Sequence, residues 1–335
     1  MVIEIKSELF ENIDHLADIN YLIAIFSEKR RFLFYCEIDD IKETEVYNNL
    51  LPIHRELIQE NFNSIISQSR EIDHKIEENT TSHSFDLNEA KRFFNQPVLL
   101  ILENSLNDSY FIDALVKNFK NKSKTIKRHK ENGWIKYEMG GGCDNIINYI
   151  RALIKSYEGL PKNGKQYLRC MVIVDSDKRF ETEPTREDRK HLYEFLNEIG
   201  ISYHELEKRE MENYIPDEAL ENIQEIDDYI TAYLRLSPIQ KDYFDLERGF
   251  DNKNISSLSE GIQYLYNNIG KEDLGILRKG MGMEKYQRDG RFKSEFPKLF
   301  ESDQVTQKSL LKRTMHQSKD PDELQTILDK ITRLL

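Results

Sequence analysis

The sequence is poor in cysteine: 335 residues hold three, Cys36, Cys143 and Cys170, with no C-x-x-C spacing. That leaves no ligand set for a zinc ribbon and no even number for a disulfide framework, and it fits a reducing compartment. Long apolar runs are also missing. The longest, such as 22–26 and 98–102, fall far short of the ~20 residues a membrane-spanning helix needs. Residues 1–6 (MVIEIK) lack the basic-then-apolar pattern of a signal peptide, so a cytoplasmic protein without a membrane role is expected. No G-x-x-x-x-G-K-[ST] occurs, which excludes a P-loop ATPase. Positive charge is in deficit, with 48 Lys and Arg against 60 Asp and Glu and a formal charge of −12. A chain this acidic has no overall attraction for phosphate polymers, so a general basic coat for nucleic acid is excluded.

What is present is the composition of a globular, helix-rich protein, 39% apolar and 32% charged. At ~150 residues per domain the length predicts two or three domains. Residues 1–90 read as a mixed α+β region: a strand-like run over 31–39, a helical period over 50–66, then a polar stretch over 70–88 that reads as a linker. Over 91–216 the pattern becomes strand–helix alternation. Apolar runs at 98–102 and 170–174 are those of strands buried on both faces, and 134–138 and 201–206 supply two more. Such alternation predicts an α/β fold with a central, mostly parallel, Rossmann-like sheet. The strand pattern ends near Asp217, and 217–335 reads as a helical region. Its last helix is predicted to start with Asp320 at the N-cap, Pro321 at N1 and Glu323 at N3.

Ligands in open parallel sheets bind beyond the carboxyl ends of the strands. Two predicted strands end there in acid: Leu102-Glu103, with Asp108 opening the next helix, and Val174-Asp175-Ser176-Asp177. Three or four carboxylates converging on one crevice cannot all stay ionised without a cation. Hard oxygen ligands suit Mg²⁺ or Mn²⁺, with a substrate's phosphates completing the shell. A third charged segment, 206–216 (LEKREMENYIP), follows the fourth strand. Each element alone has an ordinary explanation as a turn, a cap or a solvated helix start; their placement at several strand ends favours a metal site.

The order strand–Glu–…–Asp, then strand–Asp-x-Asp, resembles the TOPRIM domain of topoisomerases, primases and OLD-type nucleases. The segment Lys208-Arg-Glu-Met-Glu-Asn-Tyr214 resembles the K-R-E-x-E-N-Y run of the OLD-like nuclease branch. The resemblance covers about 97–216, with Asn104 where the family usually has glycine. It implies metal-dependent endonucleolytic cleavage of nucleic acid, DNA or RNA, by a prokaryotic anti-phage effector working with an ATPase or sensor partner. In residue terms it implies that Asp175 and Asp177 hold a Mg²⁺ or Mn²⁺, with Glu103 sharing it or acting as acid/base. Asp108 and Glu212 would complete a second metal position, and Lys208 would stabilise charge at the scissile phosphate. Homo-oligomerisation stays open. Two other readings stand beside it: a haloacid-dehalogenase-like phosphatase, from the same strand–Asp-x-Asp run, and a non-catalytic interaction subunit.

Basic residues are gathered rather than spread. Lys117, Lys120, Lys122, Lys124, Lys127, Arg128 and Lys130 fall in one acid-free run, a candidate contact for a nucleic-acid backbone. Arg278, Lys279, Lys285, Arg288, Arg291 and Lys293 form a second, weaker one. Gly140-Gly-Gly142 before a helix reads equally well as a phosphate-binding turn or as a tight turn alone.

Overall fold

The computed structural model describes residues 1–68, 71–82, 84–221, 223, 227–281 and 292–335. Two four-stranded sheets, both all-parallel, organise the chain. The first contains β1 (Val2–Ile5), β2 (Leu33–Tyr35), β3 (His74–Ile76) and β4 (Ser84–Phe85), in the order β2-β1-β3-β4. The N-terminal region thus mixes helices and strands as a second parallel layer. Helices Leu16–Ser27 and Pro52–Gln68 provide its crossovers, and Ile3, Ile5, Phe26, Phe34 and Phe94 fill its core.

Part of the stretch that reads as a linker is sheet. β3 and β4 run three and two residues, too short to show a period, and their apolar anchors are Ile76 and Phe85. They exist because β1 offers a free edge: Ile3 to Ile5 pair with His74 to Ile76. Pairing satisfies the backbone polar groups that a buried linker would leave bare.

The second sheet contains β5 (Val98–Leu102), β6 (Ile135–Met139), β7 (Cys170–Val174) and β8 (Ser202–Glu205), in the order β6-β5-β7-β8. All five residues of β7 are buried, as expected of a strand covered on both faces. Helices Cys143–Lys155 and Glu187–Ile199 pack on one face through Ile146, Ile150, Leu192 and Leu196. The Ser105–Asn118 helix and the C-terminal helices cover the other, where Phe111, Leu115, Phe300, Leu324 and Ile327 share one core with Leu100 and Leu102. The Glu187–Ile199 helix ends at Gly200, whose φ of 75° gives the left-handed cap that glycine adopts without strain. No strand follows β8 among the described residues, and no helix among them is long and apolar enough to cross a membrane.

The last helix begins at Glu323, two residues after the expected Pro321. The cause is Glu323 itself. Its fully buried carboxylate accepts hydrogen bonds from the Glu207 backbone N–H at 2.8 Å, the Gln317 side chain at 2.7 Å and the Tyr214 hydroxyl, and it contacts His204. These long-range donors outcompete a local capping box.

Candidate active site

The strand order fixes where a ligand can enter. β5 is followed by β6 on one side, and β7 and β8 are added on the other, so the chain reverses direction between β5 and β7. At such a switch point the loops part and leave a crevice beyond the strand ends. Glu103 is the first residue past β5, and Asp175 the first past β7.

The two are linked: the Asp175 backbone N–H donates to Glu103 Oε1 at 3.1 Å. The Arg189 guanidinium, 1% exposed, donates to the same oxygen and to Asp177 Oδ2 at 2.7 Å. Asp177 also accepts from Arg186 at 3.2 Å. Its φ is +55°, a left-handed conformation that aspartate tolerates better than most residues. The loop is tied down by the Asp177 N–H donating to Arg209 O at 2.9 Å and by Ser176 Oγ donating to Lys208 O at 2.7 Å.

A second group of acids faces Asp175. Asp108, in the first turn of the Ser105–Asn118 helix, accepts from the Asn104 N–H at 2.7 Å. Burial, with repulsion from Glu212 and Glu103, raises its carboxyl to about 7. Burial and the neighbouring Asp108, Glu103, Glu212 and Glu210 hold Asp175 well above the usual carboxylate range. Glu210 is pushed up to about 8 by burial and by Glu212, and burial also raises Glu212. Glu210 caps the short helical turn Met211–Tyr214 and Glu212 lies within it; the first N–H of the turn, that of Met211, donates to Asp175 Oδ1 at 3.0 Å. Lys293 faces this group. Burial pulls its ammonium down, but Glu247 (3.8 Å away), Glu210, Glu212 and Asp175 raise it overall.

No family model matches the chain, and neither does any curated protein or solved structure. The function must therefore be read from the site.

Of the expected residues, Glu103, Asp108, Asp175, Asp177 and Glu212 come together at one edge of the sheet. They divide into two sets: Glu103 and Asp177 are paired with Arg189, whereas among the described residues the cation that faces Asp108, Asp175 and Glu212 is Lys293. The second set fits a hard divalent cation in donor type, being half-buried, oxygen-bearing and short of positive charge. Among the described residues no three Asp, Glu, His or Cys side chains are grouped closely enough to enclose an ion, so the fit is one of donors and not of a closed cage.

Lys208 is placed elsewhere. Its side chain is fully buried, paired with Asp242, donating to Arg313 O at 2.6 Å and lying over the Tyr214 ring. Burial and the adjacent Arg313 lower its ammonium to about 7 despite Asp242. It braces the C-terminal helices against the sheet and cannot reach a phosphate beyond the strand ends. The glycine turn is likewise structural. The Gly140 and Gly141 N–H groups donate to Leu102 O and Glu103 O at 2.6 and 2.9 Å, and a Cβ at Gly140 would lie 2.5 Å from Ile146 Cγ1.

The basic run over 117–130 lies at the far end of the Ser105–Asn118 helix and in the following helix, Lys124–Glu131. Lys120, Lys124 and Lys127 are exposed there, Arg128 is half-buried, Lys130 pairs with Asp113, and Lys122 pairs with Asp329 at 2.7 Å. In the second run Arg278 donates to Asn252 and Asn254, while Lys285, Arg288 and Arg291 lie outside the described residues.

Arg189 is a site residue that no sequence motif singles out, and Glu210 stands in the sequence only as one member of the charged 206–216 segment. Lys293 stands in the sequence only as one member of a basic run.

Proposed function

We propose that the chain is a Mg²⁺- or Mn²⁺-dependent phosphodiesterase that cuts nucleic acid in the cytoplasm, a TOPRIM-like nuclease. The observation that carries this reading is Asp175, a half-buried carboxylate at the switch point of the sheet, surrounded by Glu103, Asp108, Glu210 and Glu212. So much buried negative charge at a strand end is costly unless a cation joins it. A phosphodiester is itself a crowded anion and needs the same cation to approach.

Asp108, Asp175 and Glu212 would offer donors to the ion without enclosing it, leaving positions for water and the substrate's phosphate. Glu103 accepts the Asp175 N–H and so sets that residue's orientation, and Arg189 clamps Glu103 and Asp177 together. Lys293, which faces the same carboxylates, would take the role of Lys208 in stabilising developing charge on phosphate. The bound metal would supply an acidified water and charge neutralisation at the phosphate oxygens. With no P-loop in the sequence, any ATP dependence comes from an ATPase or sensor partner.

The test is incubation of the purified full chain with plasmid, linear DNA and total RNA, in Mn²⁺, Mg²⁺ or EDTA. Cleavage that needs the metal and disappears in Asp175→Ala is expected. Undiminished cleavage by that variant, or none by the wild type with any substrate, sinks the reading.

A further inference from the structure

Among the described residues the basic run over 117–130 lines a groove of about 850 Å³ between the second half of the Ser105–Asn118 helix and the Lys124–Glu131 helix. Lys117, Lys120, Lys124, Lys127, Arg128 and Lys130 line it, against only two acids, Asp113 and Glu131. Both acids are already engaged, Asp113 by Lys130 and Glu131 by Lys127 at 3.8 Å. Lys117, Lys120, Lys124 and Arg128 have no ion pair among the described residues. A surplus of four positive charges on a chain of net charge −12 concentrates attraction for a polyanion in this one place. The floor includes Val116 and the lysine stems, so the cationic heads ring an apolar base.

The position of the groove says what kind of polyanion can use it. Asp108 and Lys117 sit on one helix, nine residues apart, which at 1.5 Å per residue is about 13 Å along its axis. A mononucleotide cannot touch both the carboxylate cluster and the groove. A double helix, with phosphates rising 3.4 Å per step along each strand, covers that distance in about four base pairs and keeps its charges at fixed spacing.

We infer that this groove holds the sugar–phosphate backbone of a nucleic-acid double helix, a DNA duplex or an RNA stem, beginning about four base pairs from the phosphodiester presented to the carboxylate cluster. The inference uses the phosphodiesterase reading only to locate the point of cleavage. Charge complementarity favours this occupant over an acidic protein segment because a duplex supplies regularly spaced anions on a rigid frame, with no ordering entropy to offset.

The test uses the full chain and its Lys120→Glu/Lys124→Glu/Lys127→Glu variant. These three side chains are exposed, and the one ion pair lost, Lys127 with Glu131 at 3.8 Å, is exposed too, so the melting temperature should move only slightly. Binding of labelled DNA duplexes and RNA hairpins of graded length is followed by fluorescence anisotropy in EDTA, where nothing is cut. Wild-type affinity is expected to rise with length beyond about four base pairs. The variant is expected to bind at least tenfold more weakly, and its slope of log affinity against log salt should be shallower by roughly two to three. Comparing the DNA and RNA arms identifies which double helix is held. In Mn²⁺ the variant should lose the advantage of long substrates through KM, with kcat retained. Equal affinity and salt slope in the two proteins would overturn the inference. So would binding of an acidic polypeptide, but of no duplex, by the wild type. A groove-dependent salt slope in a chain that never cleaves would uphold the groove and sink the phosphodiesterase.

Discussion

Arg189 holds Glu103 and, through its second terminal nitrogen, Asp177 at 2.7 Å, so one buried guanidinium closes the crevice between β5 and β7. It is a tethered cation among carboxylates that also suit a metal. Arg189→Ala should therefore act in two directions. Unfolding in EDTA should be easier by roughly 3 kcal/mol, the usual result of stripping a buried ion pair of one member. Mn²⁺ should bind about tenfold more tightly, because two carboxylates lose their competitor. Urea unfolding with and without Mn²⁺, together with titration calorimetry, checks both. Weaker Mn²⁺ binding would instead mean that Arg189 positions ligands for the ion.

Asp108 gives a prediction on pH. Its carboxyl is raised to about 7 by burial and by the facing Glu212 and Glu103, so the folded chain holds a proton that the unfolded chain releases near pH 4. That contribution to stability is complete below pH 4 and is lost as pH rises through 7. Half-buried His74 and buried His129, lowered to about 4 and about 3 chiefly by desolvation, push the other way at acid pH, but they cancel when two chains are compared. Metal-free Asp108→Asn should be more stable than the wild type at pH 8 by on the order of 2 kcal/mol, a gain that shrinks as pH falls and is gone near pH 4. Denaturant unfolding of both proteins at the two pH values in EDTA decides it; parallel pH profiles would refute it.

Lys208 belongs to stability. Lys208→Met keeps the stem over Tyr214 but leaves Asp242 to Arg313 at 3.2 Å and His316 at 2.6 Å. A loss of roughly 2 kcal/mol is expected, with Mn²⁺ affinity unchanged. Asp242→Asn, which removes the acid shared by Lys208, Arg313 and His316, should cost more, roughly 3–5 kcal/mol. Abolished cleavage in a Lys208→Met chain of full stability would return the lysine to the active site.

These residues show which parts of the site could be read in advance. β5 and β7 are legible because a strand buried on both faces is an unbroken apolar run, and Glu103, Asp175 and Asp177 follow directly from where those runs stop. β3 and β4 are not, because two or three residues carry no period and owe their pairing to β1, some 70 residues earlier. Lys208 misleads for a related reason. Within a charged run nothing local tells the side chain that turns inward from those that stay in water, and its partner Asp242 lies 34 residues on. Arg189 sits in an amphipathic helix at a position that reads as polar surface, and only the fold brings it to Glu103, 86 residues away. A similar separation in sequence hides Lys293 from Glu210 and Glu212.

Gly249 and Gly280 brace the loop that carries Glu247, the partner of Lys293. Their φ angles are +61° and +71°, which glycine adopts without strain. Space is tighter still: a Cβ at 249 would lie 2.2 Å from Leu277 O and 2.5 Å from Gly280 N, and one at 280 would lie 2.4 Å from Gly249 N. These neighbours are backbone atoms held by the Phe250 and Asn252 N–H groups donating to Arg278 O and by Met281 N–H donating to Leu246 O, so they cannot swing aside. Gly249→Ala or Gly280→Ala should cost about 3 kcal/mol or more, through overpacking and an unfavourable φ together. Gly275 provides the contrast. It lies in the Lys271–Leu277 helix, and a Cβ there would meet nothing within 4 Å, so Gly275→Ala should stabilise by about 0.5–1 kcal/mol. Thermal melts of the three variants side by side separate close packing from a general intolerance of alanine in this region. A Gly249→Ala chain that melts with the wild type would remove the brace from the account of how Lys293 is placed.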